Sequence, residues 1–192
     1  MEILNTKKNI VLGSNSPRRS ELLKLMGFDF TTRKIHVNEE YPKSLKPVDV
    51  ALYLSNKKAN AQTIYKNEIL ICADTIVYQK NRIFGKPNSK KEAKKMLTEI
   101  SNNKHSVVTG VTIKSVNKKI SFYERSIVYF KELSQQEIQF YIDTFNPLDK
   151  AGSYGIQEWI GIIGVKKISG SFYNVMGLPT LKVYERILEF TE

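Results

Sequence analysis

Hydrophobic and polar positions alternate along the chain with two periods, which together predict a mixture of strands and helices. An apolar run at residues 10–12 ends in the loop sequence Gly13-Ser14-Asn15-Ser16-Pro17. Ser16 stands where a helix cap is expected, and Pro17 suits the first helical position. The apolar face of that helix would be Leu22, Leu23, Leu25 and Met26, with Gly27 at its end. This segment therefore predicts a strand, a tight loop and a helix N-terminus.

Further helices are predicted at residues 47–66 and 179–190, and after the capping boxes that Ser89 forms with Glu92 and Ser134 with Glu137. Strands are predicted from residue 69, with a turn near Lys80-Asn81 and a short return strand toward 84, and as an antiparallel hairpin at 106–116 and 120–130. A glycine-punctuated stretch runs up to Gly170. These elements predict an α/β fold with a mixed twisted sheet, flanking helices and two lobes around a central cleft. No linker or repeat interrupts residues 1–192, which are predicted to form a single domain.

Composition restricts the class of protein further. No apolar run approaches the roughly 20 residues that a membrane helix needs, and the first residues lack the apolar core of a signal peptide, so we expect a cytoplasmic protein without a membrane partner. The single cysteine, Cys72, lies in an apolar run and is expected to be a buried hydrophobe. A net charge of +11 suggests anionic partners. The lysines are scattered, however, and no nucleic-acid-binding module is evident, so no specific nucleic acid is expected.

The first predicted helix carries the wrong charges for its dipole. A helix N-terminus is partially positive and normally attracts acidic residues, yet Arg18 and Arg19 occupy the second and third helical positions. Free backbone N–H groups, the hydroxyls of Ser14 and Ser16 and both guanidinium groups could converge there on one phosphate. The alternative is an ordinary helix start whose arginines extend into solvent. The position of the loop after a strand favours a ligand site.

A second anomaly is Asp74, which interrupts the apolar run at 69–78. An unpaired buried carboxylate costs several kcal/mol, roughly, so a metal, a lysine or water must lie beside it. With a glutamate from Glu39-Glu40 it could hold Mg²⁺ through oxygen ligands. Lys58 and Lys86 could add charge opposite a triphosphate, although each taken alone would be solvated. The alternative for Asp74 is a carboxylate that caps a loop at the end of a strand.

Six motifs, in chain order, resemble the Maf family of nucleotide pyrophosphatases. They are Ser14-Asn15-Ser16-Pro17-Arg18-Arg19, Ala73-Asp74-Thr75-Ile76-Val77, Gly85-Lys86-Pro87, the segment from His105 to Val111, the segment from Asp149 to Gln157, and the segment from Asn174 to Pro179. Together they cover nearly the whole chain, which makes the set far more specific than any one motif.

The resemblance implies a Maf/ITPase-like fold that hydrolyses a nucleoside triphosphate to the monophosphate and pyrophosphate with a divalent metal, Mg²⁺ or Mn²⁺. It implies Asp74 as general base, or as a metal ligand together with Glu40. The substrate-binding residues that it implies are Ser14, Ser16, Arg18, Arg19, Lys58, Thr75, Lys86 and Gln157.

Within the family, Arg18, Thr75 and Gln157 are similar to the branch that acts on dTTP and UTP. A glutamine amide offers a donor and an acceptor to the O4/N3–H edge of thymine or uracil. One departure is Glu158, where the family often has glycine. The competing hypothesis is a basic module that binds nucleic acid or a division protein without catalysis, although such a surface gains nothing from a buried Asp74. The oligomeric state stays open, with a homodimer as the candidate.

Overall fold

The computed structural model describes residues 8–80 and 82–190. Within these ranges the strands are β1 (Asn9–Gly13), β2 (Phe30–Arg33), β3 (Glu68–Gln79), β4 (Arg82–Phe84), β5 (Lys104–Lys114), β6 (Lys119–Phe130) and β7 (Val165–Ser169). The helices are α1 (Pro17–Leu25), α2 (Pro47–Asn60), α3 (Lys90–Ile100), α4 (Gln135–Phe145), α5 (Trp159–Gly164), α6 (Phe172–Met176) and α7 (Thr180–Leu188). Short 3-10 turns occupy Pro147–Asp149 and Ala151–Ser153.

The strands form one mixed sheet, as the sequence predicts. Its order is β2-β1-β3-β5-β6-β7, with β4 paired to β3. Strand β1 is parallel to both β2 and β3, whereas β4 is antiparallel to β3 and β7 is antiparallel to β6. Strands β1 and β2 end side by side at Gly13 and Arg33, whereas β3 continues from Cys72 to Gln79. The loop after β1 therefore leaves the sheet at the carboxyl ends of β1 and β2, and open α/β sheets bind ligands at such ends.

The described residues divide into two compact units. The first comprises residues 8–74, 109–124 and 177–190, with a hydrophobic cluster of Val11, Ile35, Ala59, Leu70 and Cys72. The second comprises residues 75–80, 82–108 and 125–176, and in it α3 packs against α4. The mixed α/β class with flanking helices is confirmed, while the single domain and the central cleft stay predictions. No helix in the described ranges combines the length and the apolar character needed to cross a membrane.

Local details of the predicted elements are confirmed in part. Both helices predicted from capping boxes, α3 and α4, bury an apolar face, and α4 begins with a complete capping box of Ser134 and Glu137. At α3 the box is only half formed, because Ser89 caps the helix but the Glu92 carboxylate accepts from the Asn88 backbone instead. The residue Asn81 of the predicted turn lies outside the described residues.

Two predictions about helices are wrong. The second helix ends at Asn60 rather than at 66, and Leu25, expected on the apolar face of α1, is 72% exposed. Four short elements, β2, α5, β7 and α6, were not predicted at all.

Candidate active site

The site in the first unit begins with the loop between β1 and α1. Pro17 occupies the first turn of α1 and Ser16 its cap position with an extended backbone, as predicted, and no acidic residue lies in that turn. The Ser16 side chain, however, makes no capping hydrogen bond. Its hydroxyl therefore does not satisfy the N-terminal N–H groups of α1, which the sequence analysis expected of a cap. The partial positive charge of this helix terminus favours an anion.

Ser14 and Arg19 are joined directly in this loop. The Ser14 hydroxyl oxygen accepts from the Ser16 backbone N–H at 3.1 Å and from Arg19 Nη1 at 3.3 Å. Arg19 Nε also donates to the Gly177 carbonyl at 2.8 Å. Burial lowers the pKa of the Arg19 guanidinium, and the charge of Asp74 acts in the opposite direction. Arg19 is thus held by the protein rather than extended into solvent, and Arg18 beside it is half-buried.

The carboxylate of Asp74 is paired with an ammonium group, so its negative charge is not buried without a partner. Asp74 is 8% exposed in β3, and Lys58 of α2 makes a very short contact to its Oδ1 atom. The Lys58 ammonium also lies 2.8 Å from Glu39 Oε1. Two carboxylates therefore share one ammonium, and the lysine predicted near Asp74 is in place.

Close packing of α2 against β5 places Lys58 at this depth. A Cβ atom added to Gly110 would lie 2.4 Å from the backbone carbonyl carbon and oxygen of Ala51, so the two backbones approach as near as a glycine permits. The hydroxyls of Ser55 and Thr112 hydrogen-bond at 3.0 Å across the same contact. Both contacts lie within one turn or two of Lys58 on α2 and fix its distance from the sheet.

The donor set suits a cation that takes most of its ligands from elsewhere. Among the described residues no group of three or more His, Cys, Asp and Glu side chains could enclose a metal ion. Mg²⁺ is commonly held by one or two carboxylates together with substrate phosphates. The carboxylates of Asp74 and Glu39 both contact Lys58 and are the ones this site could offer to such an ion. Glu40, the predicted ligand, is exposed and is fixed through its backbone, which contacts Asn38 and Lys57.

The remaining predicted residues lie in the second unit and are described there. Thr75 follows Asp74 in β3 and is half-buried, whereas Lys86 is exposed after β4. Gln157 lies in the four-residue turn 155–158, which the Glu158 N–H closes by donating to the Gly155 carbonyl at 3.1 Å. The Gln157 Oε1 atom is buried and has no hydrogen-bond partner among the described residues. An orphaned acceptor of this kind is costly unless a ligand donates to it.

Some contacts at these positions are not visible in the sequence. No sequence spacing distinguishes which of the adjacent residues Glu39 and Glu40 meets a lysine. The hydrogen bond from Arg19 to Gly177 joins residues that are 158 positions apart. Lys150 is buried and lies 2.7 Å from Asp149 and 3.1 Å from Glu158.

The protein is an α/β protein with a mixed sheet, and its site suits a polyanion. That site combines a helix start that carries two arginines with the buried pair of Asp74 and Lys58. The chain belongs to the Maf family, because the family model described as Maf-like protein matches residues 9–190. It is 48% identical to the dTTP/UTP pyrophosphatase of Cytophaga hutchinsonii, over 93% of this chain and 83% of that protein. It is 47% identical to the dTTP/UTP pyrophosphatase of Parabacteroides distasonis, over 97% of this chain and 98% of that protein.

Among solved structures, the Staphylococcus aureus Ham1 protein is 15% identical to this chain, with a TM-score of 0.45 over 64% of this chain and 72% of that one.

Proposed function

We propose that this protein is an enzyme that hydrolyses dTTP and UTP to the nucleoside monophosphate and pyrophosphate, with Mg²⁺ or Mn²⁺. The observation that carries the proposal is the buried Asp74 carboxylate, held by Lys58 beside the arginine-bearing start of α1. A surface that only binds phosphate would lose affinity from a buried negative charge at this place. A hydrolase needs such a group to activate water. The names of the two curated relatives supply the substrates.

The triphosphate is assigned to the loop between β1 and α1 and to the basic side chains of the family motifs. Ser14, Ser16, Arg18 and Arg19 supply hydroxyl and guanidinium donors, and the dipole at the start of α1 adds to them. Lys86 adds a further positive charge, and Lys58 orients Asp74. These donors oppose the charge that develops on a leaving pyrophosphate.

Asp74 takes the proton from the attacking water in this scheme. The metal, when bound through Asp74 and a glutamate of the pair Glu39-Glu40, would neutralise phosphate charge and lower the pKa of the water. Asp74 could serve chiefly as a ligand of that metal, and the experiment below separates the two roles.

Gln157 is assigned to the nucleobase. Its buried Oε1 atom, which lacks a partner among the described residues, can accept the N3–H of thymine or uracil, and its Nε2 can donate to O4. Cytosine presents an acceptor at N3 and a donor at position 4, so the same amide orientation opposes it. Thr75 is assigned to the substrate as well. We further propose a homodimer that acts in the cytoplasm, where nucleoside triphosphates are made, without a specific nucleic-acid partner.

The test is a panel of nucleoside triphosphates with Mg²⁺ or Mn²⁺, with pyrophosphate resolved from orthophosphate. We expect dTTP and UTP to give pyrophosphate, with purine nucleotides much slower. Release of orthophosphate, or equal rates on GTP, would contradict the proposal. Binding of nucleotide without turnover would favour the non-catalytic module instead.

The Asp74→Asn variant tests the site itself. We expect kcat to fall by about 10² or more while nucleotide binding remains, the usual scale for a positioned base. Asp143→Asn is the matched control, since that exposed carboxylate pairs with Lys90 and should leave kcat unchanged. If excess Mn²⁺ restores the Asp74→Asn rate, Asp74 is chiefly a ligand. Near-native turnover without added metal would remove Asp74 from the mechanism.

A further inference from the structure

The turn 155–158 is closed at both ends by one hydroxyl group. The Tyr141 hydroxyl of α4 accepts from the Gly155 backbone N–H at 3.0 Å and donates, in a very short hydrogen bond, to Glu158 Oε2. The turn's own backbone bond joins the same two residues at 3.1 Å. Gln157 is the third residue of this turn, so the backbone on both sides of it is fixed. Its side-chain amide oxygen has no hydrogen-bond partner among the described residues.

The Glu158 carboxylate is anchored on its other oxygen. Lys150, which is 8% exposed, lies 3.1 Å from Glu158 Oε1. The carboxylate rests against the turn's first residue, because a Cβ atom added to Gly155 would lie 2.6 Å from Glu158 Cδ. Both oxygens and one face of the Glu158 carboxylate therefore contact other protein groups, whereas a solvated surface glutamate would need no such contacts.

Tyr141 is itself a rigid anchor. Its side chain is fully buried in α4, and its ring stacks on Phe145 with centroids 5.2 Å apart. Burial, and then the hydrogen bond to Glu158, raise the pKa of the Tyr141 hydroxyl, which keeps it a donor. A capped helix thus holds the turn through a group that cannot rotate away without losing two hydrogen bonds.

We infer that Glu158 and Tyr141 are positioning residues that set base discrimination by holding the turn around Gln157. The inference rests on the proposed function, in which Gln157 reads the pyrimidine. A glutamine amide reads the N3–H and O4 edge only when its oxygen and nitrogen lie at hydrogen-bond distance from both of those atoms. The backbone that bears Gln157 sets where the amide lies, so a shift of the turn would weaken the contacts that favour uracil over cytosine.

The test compares Glu158→Ala, Glu158→Gln and Tyr141→Phe for kcat and KM on UTP and CTP. For Glu158→Ala and Tyr141→Phe we expect the UTP/CTP ratio of kcat/KM to fall about tenfold, mainly through a higher KM for UTP, the scale of one misplaced hydrogen bond. Glu158→Gln keeps an acceptor for Tyr141 and should restore much of the ratio.

The control for stability must leave α4 and the turn intact. Glu68→Ala is therefore the control: the Glu68 carboxylate also accepts from a basic side chain, Arg33, and from the Tyr65 N–H, but it lies in the first unit, so its loss should lower the melting temperature and leave the UTP/CTP ratio unchanged. If Glu158→Ala lowers the melting temperature as the control does and keeps the wild-type ratio, Glu158 is merely structural and the inference is overturned.

Binding of UMP and CMP, measured by calorimetry, reads the same discrimination without catalysis. If the wild-type protein fails to cleave UTP but prefers UMP, and Glu158→Ala loses that preference, the proposed function fails while the positioning role stands. If the wild-type protein cleaves UTP and the variants keep its preference for UMP, the positioning role fails alone. Equal binding of UMP and CMP by the wild-type protein overturns the positioning role as well.

Discussion

The pairing of Lys58 with Asp74 predicts that losing Lys58 and losing Asp74 lower the free energy of unfolding by different amounts. Lys58→Met removes the ammonium and keeps the apolar stem of the side chain. Both side chains of the pair are 11% exposed, so the remaining Asp74 carboxylate would be left without the ammonium at low solvent access. Asp74→Asn instead leaves Lys58 with Glu39, 2.8 Å away and 47% exposed.

These contacts give the expected magnitudes. Removing one partner of a buried ion pair costs about 3–5 kcal/mol, because it leaves an uncompensated buried charge, and we expect Lys58→Met to lower the free energy of unfolding by about 3 kcal/mol. Since Lys58 keeps a carboxylate in Asp74→Asn, we expect that variant to lose only about 1 kcal/mol. The double variant should be more stable than Lys58→Met alone, since no unpaired charge remains.

The assay is urea unfolding followed by circular dichroism, with free energies from linear extrapolation at equal m-values. Lys90→Met is the matched control, because its ion pair with Asp143 is about half exposed on both sides and should contribute less than about 1 kcal/mol. The reasoning is refuted if Lys58→Met is as stable as Lys90→Met, or if the effects of Lys58→Met and Asp74→Asn simply add.

Three further outcomes follow from single side chains. Burial lowers the pKa of His105 to about 4, so near pH 6.5 the unfolded chain binds a proton that the native protein does not bind. The free energy of unfolding should therefore fall by up to about 3 kcal/mol as pH drops from 6.5 to 4. In urea titrations at several pH values, His105→Gln should reduce this dependence on pH, whereas the variant of an exposed histidine, His36→Gln, should not. Gly110→Ala should cost about 2–3 kcal/mol in urea unfolding because its Cβ meets the backbone of α2, whereas Gly85→Ala, with open space around it, should cost far less. Burial raises the pKa of the Cys72 thiol to about 12, so iodoacetamide at pH 8 should label it in urea but not in the native protein, as mass spectrometry would report.

Elements whose signals are local could be predicted from the sequence. Helix α4 follows from a capping box and an apolar face of period 3.6, because both depend on residues within one or two turns of each other. The start of α1 at Pro17 and the two long strands β5 and β6 are of the same kind. The dipole anomaly of Arg18 and Arg19 and the buried position of Asp74 were equally visible, since each violates a rule that its near neighbours define.

Short and sheet-dependent elements could not be predicted in this way. Strand β2 has exposed threonines at its centre and no apolar alternation, so it is a strand because β1 pairs with it. Helix α2 ends at Asn60 although no glycine or proline marks the place. In both cases tertiary pairing outweighs local propensity.

The sequence by itself thus determined the family, the α/β class, the chemistry at the start of α1 and the need for a partner beside Asp74. Tertiary structure decided which partner it is. Lys58 and Asp74 are 16 residues apart, on α2 and β3, and the close approach at Gly110 of the neighbouring strand β5 sets how near α2 lies to the sheet. Glu39 rather than Glu40 meets the same ammonium, and the Tyr141 hydroxyl closes the turn around Gln157 from 14 residues away. Contacts of this kind depend on how packed elements are placed, which the periodicity and caps within one element do not encode.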